Sequence, residues 1–245
     1  MTDLVQPIRE RYLHALDRIA LAARSVGRDP DSVRLVVVTK GQQLEVVRAA
    51  MEAGVRILGE NYPEEAVEKI RAMGVGAAVE WHMIGHVQSR KARLVPEHFH
   101  LLHSLDGLKL AERLDHFAAE SGRALPALLE FNVGGEESKF GWNAADEDHW
   151  EDLLPQLSSV LALQNLRVQG LMVMPPIGEE AEASRPYFRR TRRLQAYLQE
   201  HLPQAGWEQL SMGTSLDYEV AVLEGATLVR VGTAIVGPRN YQKEA

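Results

Sequence analysis

A lysine at the end of a predicted strand is the first residue of this sequence that could react with a small molecule. Lys40 follows the β-branched run Arg34–Thr39. It continues the two-residue period of Val36 and Val38, so its amine would lie over the open end of the sheet if those valines fill the interior. An amine among apolar walls loses its proton more readily, and the neutral amine attacks aldehydes. Lys40 is therefore a candidate Schiff-base residue, with an ordinary solvated lysine as the alternative.

An arginine interrupts a second apolar run. Arg230 lies within Leu228–Val231, a segment typical of a strand that is buried on both faces. A buried guanidinium requires hydrogen-bond acceptors. Two interpretations stay open at this point: an ion pair with a carboxylate such as Glu130, or a donor directed at a ligand at the end of the sheet.

Small and hydroxyl-bearing residues follow the last two predicted strands. Ser211–Ser215 (SMGTS) follows the seventh strand and Gly232–Thr233 follows the eighth. Glycine lets backbone N–H groups approach an anion, and hydroxyl groups add donors without bulk. In (β/α)₈ barrels these loops are a recurrent phosphate site, although such residues are also common in ordinary turns. A lysine, a buried arginine and a phosphate site together indicate a ligand with an aldehyde, a ring nitrogen and a phosphate, such as pyridoxal 5′-phosphate (PLP).

The elements that would position these residues alternate along the chain. The predicted strands are Arg34–Thr39, Val55–Gly59, Val79–Ile84, Phe99–Ser104, Ala127–Asn132, Val168–Val173, Gln209–Met212 and Thr227–Val231. A helix from Leu4 to a stop at Gly27 is predicted to precede them, and further helices are predicted at Gln43–Ala53, Pro63–Met73, Leu108–Ser121, Asp146–Leu161, Glu182–His201 and Leu216–Leu223. Strict alternation favours a parallel α/β fold. Eight units favour a closed (β/α)₈ TIM-type barrel with an extra N-terminal helix over an open doubly wound sheet.

Length and composition agree with one barrel. The 245 residues are 45% hydrophobic and 25% charged, as in an ordinary globular protein. A barrel of this kind takes about 250 residues, so we expect residues 1–245 to form a single domain. The formal charge of -7 makes binding to nucleic acid a poor expectation. A basic cluster at Arg185–Arg193 lies mostly opposite an apolar helical stripe, which is typical of a solvated face.

Several further expectations concern location and metal binding. The sequence has no cysteine, which agrees with a reducing compartment. We find no signal peptide and no run of roughly 18 apolar residues, so we expect a cytoplasmic protein without a membrane span. We also expect the protein to be a monomer. His98 and His100 would share one face of the fourth strand. They would lie at its N-terminal end without a completing carboxylate or cysteine pattern, so we expect no metal site.

Six segments of the sequence together resemble one known family. They are VVVTKGQ (Val36–Gln42), GENYPEE (Gly59–Glu65), WHMIGHVQSRK (Trp81–Lys91), GGEESKFGW (Gly134–Trp142), GLM (Gly170–Met172) and LSMGTSLDYEVAVLEGATLVRVGTAIVG (Leu210–Gly237). The family is that of the pyridoxal phosphate homeostasis proteins, whose fold is similar to the N-terminal barrel of alanine racemase. The resemblance covers nearly the whole chain.

The resemblance implies a role for individual residues. Lys40 would hold PLP as a Schiff base, Arg230 would face the pyridine nitrogen, and Asn61 would lie near the ring. The residues implied around the phosphate are Ser211, Ser215, Gly232 and Thr233.

These observations predict a protein that binds PLP and passes it to apo forms of PLP-dependent enzymes without robust turnover. Barrel-type PLP racemases and decarboxylases carry a second β domain and pair two subunits, and we expect neither here. An arginine that stays protonated would leave the pyridine nitrogen unprotonated, which makes the ring a weaker electron sink. The alternatives are a barrel-type PLP-dependent amino-acid racemase and a cofactor-free Schiff-base aldolase acting on phosphosugars.

Overall fold

Parallel strands close into a barrel in the computed structural model, which describes residues 4–74, 79–176 and 178–238. The strands are β1 (Arg34–Val38), β2 (Ile57–Glu60), β3 (Glu80–Met83), β4 (Leu101–Leu105), β5 (Leu125–Asn132), β6 (Trp142–Asn143), β7 (Leu166–Val173), β8 (Gln209–Ser211) and β9 (Leu228–Val231). Their order is β4-β3-β2-β1-β9-β8-β7-β5, and pairing of β4 with β5 closes the ring. The two-residue β6 pairs only with β5 and lies outside this ring.

Helices cover the outside of the barrel. They are α1 (Val5–Ser25), α2 (Leu44–Glu52), α3 (Pro63–Met73), α4 (Leu94–His98), α5 (Leu108–Ser121), α6 (Leu154–Leu161), α7 (Arg185–His201), α8 (Tyr218–Leu223) and α9 (Thr233–Val236). The leading helix α1 buries Ile8, Ala15 and Ile19 and packs against α2, α8 and α9. Within the described residues, none of the helices has both the length and the apolar character that a membrane span requires.

The predicted barrel and its extra N-terminal helix are confirmed, and each of the eight barrel strands lies within two residues of its predicted bounds. The two-residue β6 was not predicted. The helix predicted to begin at Asp146 is a 3₁₀ segment until Leu153, and α6 begins at Leu154. Pro155 explains the shift, because proline lacks the N–H that a later helical position would have to donate. The placement of His98 and His100 on one strand face is wrong. His98 ends α4 and His100 precedes β4.

Side chains along each strand alternate between the helix layer and the barrel interior. An apolar cluster fills part of the interior and consists of Val36, Ile57, Leu101, Leu128, Met172 and Leu228. On β1 the interior positions are Arg34, Val36 and Val38, and the same period reaches Lys40 just after the strand. The lysine is therefore carried to the carboxyl-end mouth of the barrel, as the spacing predicted.

One glycine is required where two strands approach closely. Gly170 on β7 has a φ of +153°, and the neighbouring ladder between β5 and β7 shifts register at Ala127 and Leu128. A Cβ atom added at Gly170 would lie 1.9 Å from the Gln209 carbonyl oxygen of β8. Backbone atoms of a barrel strand cannot move aside without disturbing the adjacent ladders.

We expect Gly170→Ala to lower the free energy of unfolding by about 3 kcal/mol or more, because the new methyl group adds overpacking to backbone strain. Urea unfolding followed by circular dichroism measures the change. Gly107→Ala is the matched control, since its φ is -179° and a Cβ there meets nothing within 4 Å. Equal stability of the two variants would contradict this account of Gly170.

Candidate functional site

A cavity of about 320 Å³ opens at the carboxyl ends of the strands. This size is at the lower end of the range for small-molecule sites. Its lining residues are Val38, Lys40, Asn61, Ile84, Met174, Thr214, Ser215, Leu216, Arg230, Gly232 and Thr233. Six of the seven predicted site residues thus surround one space, and Ser211 is the one that does not line it.

The turn that carries Lys40 is held by a buried lysine on α3. Lys69 Nζ donates hydrogen bonds to the Thr39 carbonyl oxygen at 2.8 Å, to Glu60 Oε1 at 2.8 Å and to Glu65 Oε1 at 2.6 Å. The three acceptors belong to the end of β1, the end of β2 and the first turn of α3. All three donors of the ammonium group are therefore used to hold the Lys40 turn against its neighbours.

Two further hydrogen bonds complete this arrangement. Thr39 Oγ1 donates to Glu60 Oε1 at 2.7 Å, and the Gly41 N–H donates to Glu65 Oε1 at 2.8 Å. Burial raises the pKa of Glu60, and the adjacent Lys69 opposes that shift. Sequence analysis missed these residues. The available signal was the four-residue spacing of Glu65 and Lys69 on the inner side of a helix, which places two charges where apolar side chains are expected.

Arg230 is buried in β9 with its guanidinium at the base of the cavity. Its Nη1 donates to Ser211 Oγ at 2.5 Å and its Nη2 to the Val173 carbonyl oxygen at 2.9 Å. Burial lowers the pKa of Arg230 to about 10, and the carboxylates of Glu130 and Asp217 oppose the shift. The group is therefore protonated at neutral pH. In the described part of the chain its polar contacts are not with Glu130, so the direct ion pair considered from the sequence is not formed.

Ser211 is more deeply buried than the other residues implied around the phosphate. It is the last residue of β8, it is 1% exposed, and its hydroxyl lies 2.7 Å from His103 Nδ1 as well as accepting from Arg230. Its inward side chain is one level below the mouth of the barrel. The hydroxyl contacts Arg230 and His103. A contact of Ser211 with the phosphate stays a prediction.

The remaining phosphate candidates do meet at the rim. Ser215 Oγ accepts a hydrogen bond from the Gly232 N–H at 3.2 Å, which brings the loops after β8 and β9 together. The Thr214 hydroxyl donates instead to Asp217 Oδ1 at 3.1 Å and fixes the start of α8. The hydroxyl groups of Ser215 and Thr233 thus offer compact donors on one side of the cavity.

Asn61, which follows β2, supplies an acceptor to the same cavity. Its Oδ1 atom is buried and has no hydrogen-bond partner among the described residues. Gly85 makes room for this segment, because a Cβ there would lie 2.6 Å from the Asn61 Cα. A buried acceptor without a partner is costly, so this atom fits a ligand that carries a hydrogen-bond donor.

A second cavity of about 430 Å³ adjoins the first and shares Asn61, Ile84 and Met174 with it. Glu130 lines this second cavity. Burial raises the pKa of the Glu130 carboxyl to about 7, with the charge of Asp106 acting in the same direction and Arg230 and Lys139 opposing it. Glu130 can therefore gain or lose a proton near neutral pH.

Comparison with known proteins assigns this chain to a family. Residues 13–240 match the family described as alanine racemase, N-terminal domain. The pyridoxal phosphate homeostasis protein of Pseudomonas aeruginosa is 42% identical over 235 residues, covering 96% of each chain. The protein of the same name from Aquifex aeolicus is 38% identical, covering 95% of this chain and 98% of its own. The chain belongs to the pyridoxal phosphate homeostasis protein family. The resemblance drawn from the sequence motifs is confirmed.

Solved structures of related proteins agree with the fold of this family member. PipY of Synechococcus elongatus, solved with PLP bound, is 39% identical with a TM-score of 0.78, covering 94% of this chain and 100% of that chain. An alanine racemase of Clostridium difficile is 13% identical with a TM-score of 0.65, and the match covers 57% of that chain. At this identity the second likeness concerns the fold alone.

The raised pKa of Glu130 predicts a pH-dependent stability for this family member. A carboxyl whose folded-state pKa lies above its ordinary value of 4.5 contributes its full stability below that pH, and the contribution is lost as the pH rises through about 7. Glu130→Gln removes the titration. We therefore expect the stability of the variant relative to wild type to increase by about 1–3 kcal/mol between about pH 4.5 and pH 8.

Urea unfolding of the protein without added ligand, repeated across this pH range, measures the difference. Glu45→Gln, a change at an exposed position on α2, controls for the loss of one charge. A Glu130→Gln difference that is constant across the range would show that Glu130 titrates normally in the folded protein.

Proposed function

We propose that this protein binds PLP at the mouth of the barrel, holds it as a Schiff base on Lys40, and passes it to apo forms of PLP-dependent enzymes. The observation that carries the proposal is the convergence of an amine, a buried guanidinium and a set of compact hydroxyl and backbone donors on one cavity of about 320 Å³. The binding role would be performed inside the cell, without robust turnover of a substrate.

The residues present fit PLP group by group. Lys40 offers the amine for the aldehyde, Arg230 a donor for the ring nitrogen, and Asn61 an unpartnered acceptor for a polar substituent of the ring. Ser215 and Thr233 lie where an anionic phosphate would meet hydroxyl and backbone donors. PipY, at 39% identity, has been solved with PLP bound, which supports the same ligand here.

The electrostatics of Arg230 favour holding over catalysis. Bound PLP supplies an electron-withdrawing ring that stabilises carbanions, and it does so best when the pyridine nitrogen is protonated. Arg230 stays protonated at neutral pH and can only donate to that nitrogen. The site therefore binds the ring while weakening it as an electron sink, which suits a protein that stores and delivers the cofactor.

The attachment point is testable on the purified protein loaded with PLP. We expect borohydride reduction followed by peptide mass mapping to place the pyridoxyl group on Lys40. Lys91 and Lys139, which line the adjoining cavity, serve as internal controls in the same digest. Lys40→Ala should lose the covalent product and still bind PLP, more weakly by about 10-fold or more, because the phosphate donors do not depend on the amine. Label on Lys91 or Lys139 in the wild type would show that the site is misassigned.

The delivery role is testable by mixing loaded protein with an apo-transaminase. We expect transaminase activity to recover at a rate at least equal to that with the same concentration of PLP alone. Incubation with alanine and serine enantiomers, followed by chiral chromatography, should show negligible racemisation. Robust turnover of an amino acid that is abolished by Lys40→Ala would favour the racemase alternative, and failure to restore the transaminase would contradict the carrier role.

A further inference from the structure

A line of polar side chains crosses the barrel interior beneath the cavity. His103 on β4 is fully buried, and its Nε2 lies 3.0 Å from Nδ1 of His82 on β3. His82 Nε2 lies 3.2 Å from Oε2 of Glu80, at the amino end of the same strand. Contacts described above join His103 to Ser211 and Ser211 to Arg230. We call the set the interior chain, and it consists of Arg230, Ser211, His103, His82 and Glu80.

The two ends of the interior chain fix the direction of its hydrogen bonds. Arg230 carries N–H groups and no acceptor, so it donates to Ser211 Oγ at 2.5 Å. At the other end, hydrogen bonding from His82 and from Arg34 lowers the pKa of Glu80 to about 2. Glu80 is therefore a carboxylate at neutral pH and can only accept, which places a proton on Nε2 of His82.

The burial of His82 and His103 determines the direction of the hydrogen bonds between Glu80 and Ser211. Burial lowers the pKa of His82 and lowers that of His103 well below its usual value, so both rings are neutral at neutral pH. A neutral ring has one donor and one acceptor. Because the proton of His82 is on Nε2, its Nδ1 accepts from His103 Nε2. His103 Nδ1 must then accept the hydroxyl proton of Ser211, whose oxygen is left to accept from Arg230.

We propose that His103 and His82 are positioning residues for the cofactor, because through Ser211 they fix the orientation of the Arg230 guanidinium that lines the cavity. The inference rests on the proposed function, since it treats Arg230 as a cofactor-binding group. If His103 carried its proton on Nδ1, it would donate to Ser211 Oγ, as Arg230 does. The Ser211 hydroxyl proton would then have no acceptor in the interior chain.

The interior chain also explains which part of Arg230 is available to a ligand. Ser211 holds Nη1, and the carbonyl oxygen of Val173 at the end of β7 holds Nη2 at 2.9 Å. Two fixed contacts on a planar group set the plane of the guanidinium. Nη2 also lies 3.2 Å from the Met174 sulfur. The orientation of the guanidinium that lines the cavity is therefore set by contacts within the protein.

The direction of the interior chain is testable without cofactor. In protein labelled with ¹⁵N-histidine and free of PLP, long-range ¹H–¹⁵N spectra distinguish the two neutral tautomers. We expect His82 and His103 both to carry the proton on Nε2 at neutral pH. A proton on Nδ1 of His103, or a doubly protonated ring, would overturn the proposal. This result does not depend on whether the protein binds PLP.

The effect on Arg230 requires variants. We expect His103→Phe to change the ¹⁵N shift of the Arg230 side chain and to weaken PLP binding on the order of tenfold. His103→Gln keeps one donor and one acceptor, and we expect it to restore part of both properties. Leu102→Ala, a fully buried change on the same strand, controls for general loss of packing.

The outcomes separate the two proposals. The positioning role would be overturned if His103→Phe kept the Arg230 ¹⁵N shift and the PLP affinity of wild type. It would also be overturned if Leu102→Ala changed both properties as much as His103→Phe does. A wild-type protein that shows the expected tautomers and binds no PLP would overturn the proposed function and leave the hydrogen-bond order intact.

Discussion

A closed parallel barrel directs every second side chain of each strand into an enclosed interior, where the side chain cannot reach the helix layer or the outer surface. Each inward residue must therefore pack against apolar neighbours or find a hydrogen-bond partner inside the barrel. In this protein both solutions occur in the same interior. Val36, Leu128 and Leu228 belong to the apolar cluster, and Arg230 belongs to a polar chain that passes beside it.

The guanidinium of Arg230 is charged and buried, so it requires hydrogen-bond partners inside the barrel. A buried charge with its partners removed is strongly destabilising, and Arg230 has no carboxylate in direct contact among the described residues. Its charge is instead accommodated by a serine hydroxyl, a strand carbonyl and a succession of neutral rings that ends at Glu80. The site at the mouth and the ion pair of Glu80 with Arg34 at the opposite end are thus connected through the same interior.

Much of the architecture could be predicted because it follows from local periodicity. The two-residue period of β1 was enough to bring Lys40 to the mouth, and an arginine within an apolar strand was enough to mark Arg230. The burial of Ser211 below the cavity could not be predicted, because the sequence shows which residues follow a strand but not how far each lies along the barrel axis. The spacing of Glu65 and Lys69 marks Lys69 as unusual, but its contacts could not be predicted, since they depend on how α3 packs against two strands.

The anchoring of the Lys40 turn has a consequence for the reactivity of the amine. The residues on either side of the lysine are both held. The Thr39 carbonyl oxygen accepts a hydrogen bond from Lys69, and the Gly41 N–H donates to Glu65, which also accepts from Lys69. The Cα of Lys40 is thereby fixed relative to the cavity, so its amine lies within the reach of a four-carbon side chain from that point. A reacting group confined in this way has a high effective molarity towards an aldehyde bound beside it. Lys69 on α3 thus keeps the Lys40 amine beside the cavity, although Lys69 is not among the residues that line it.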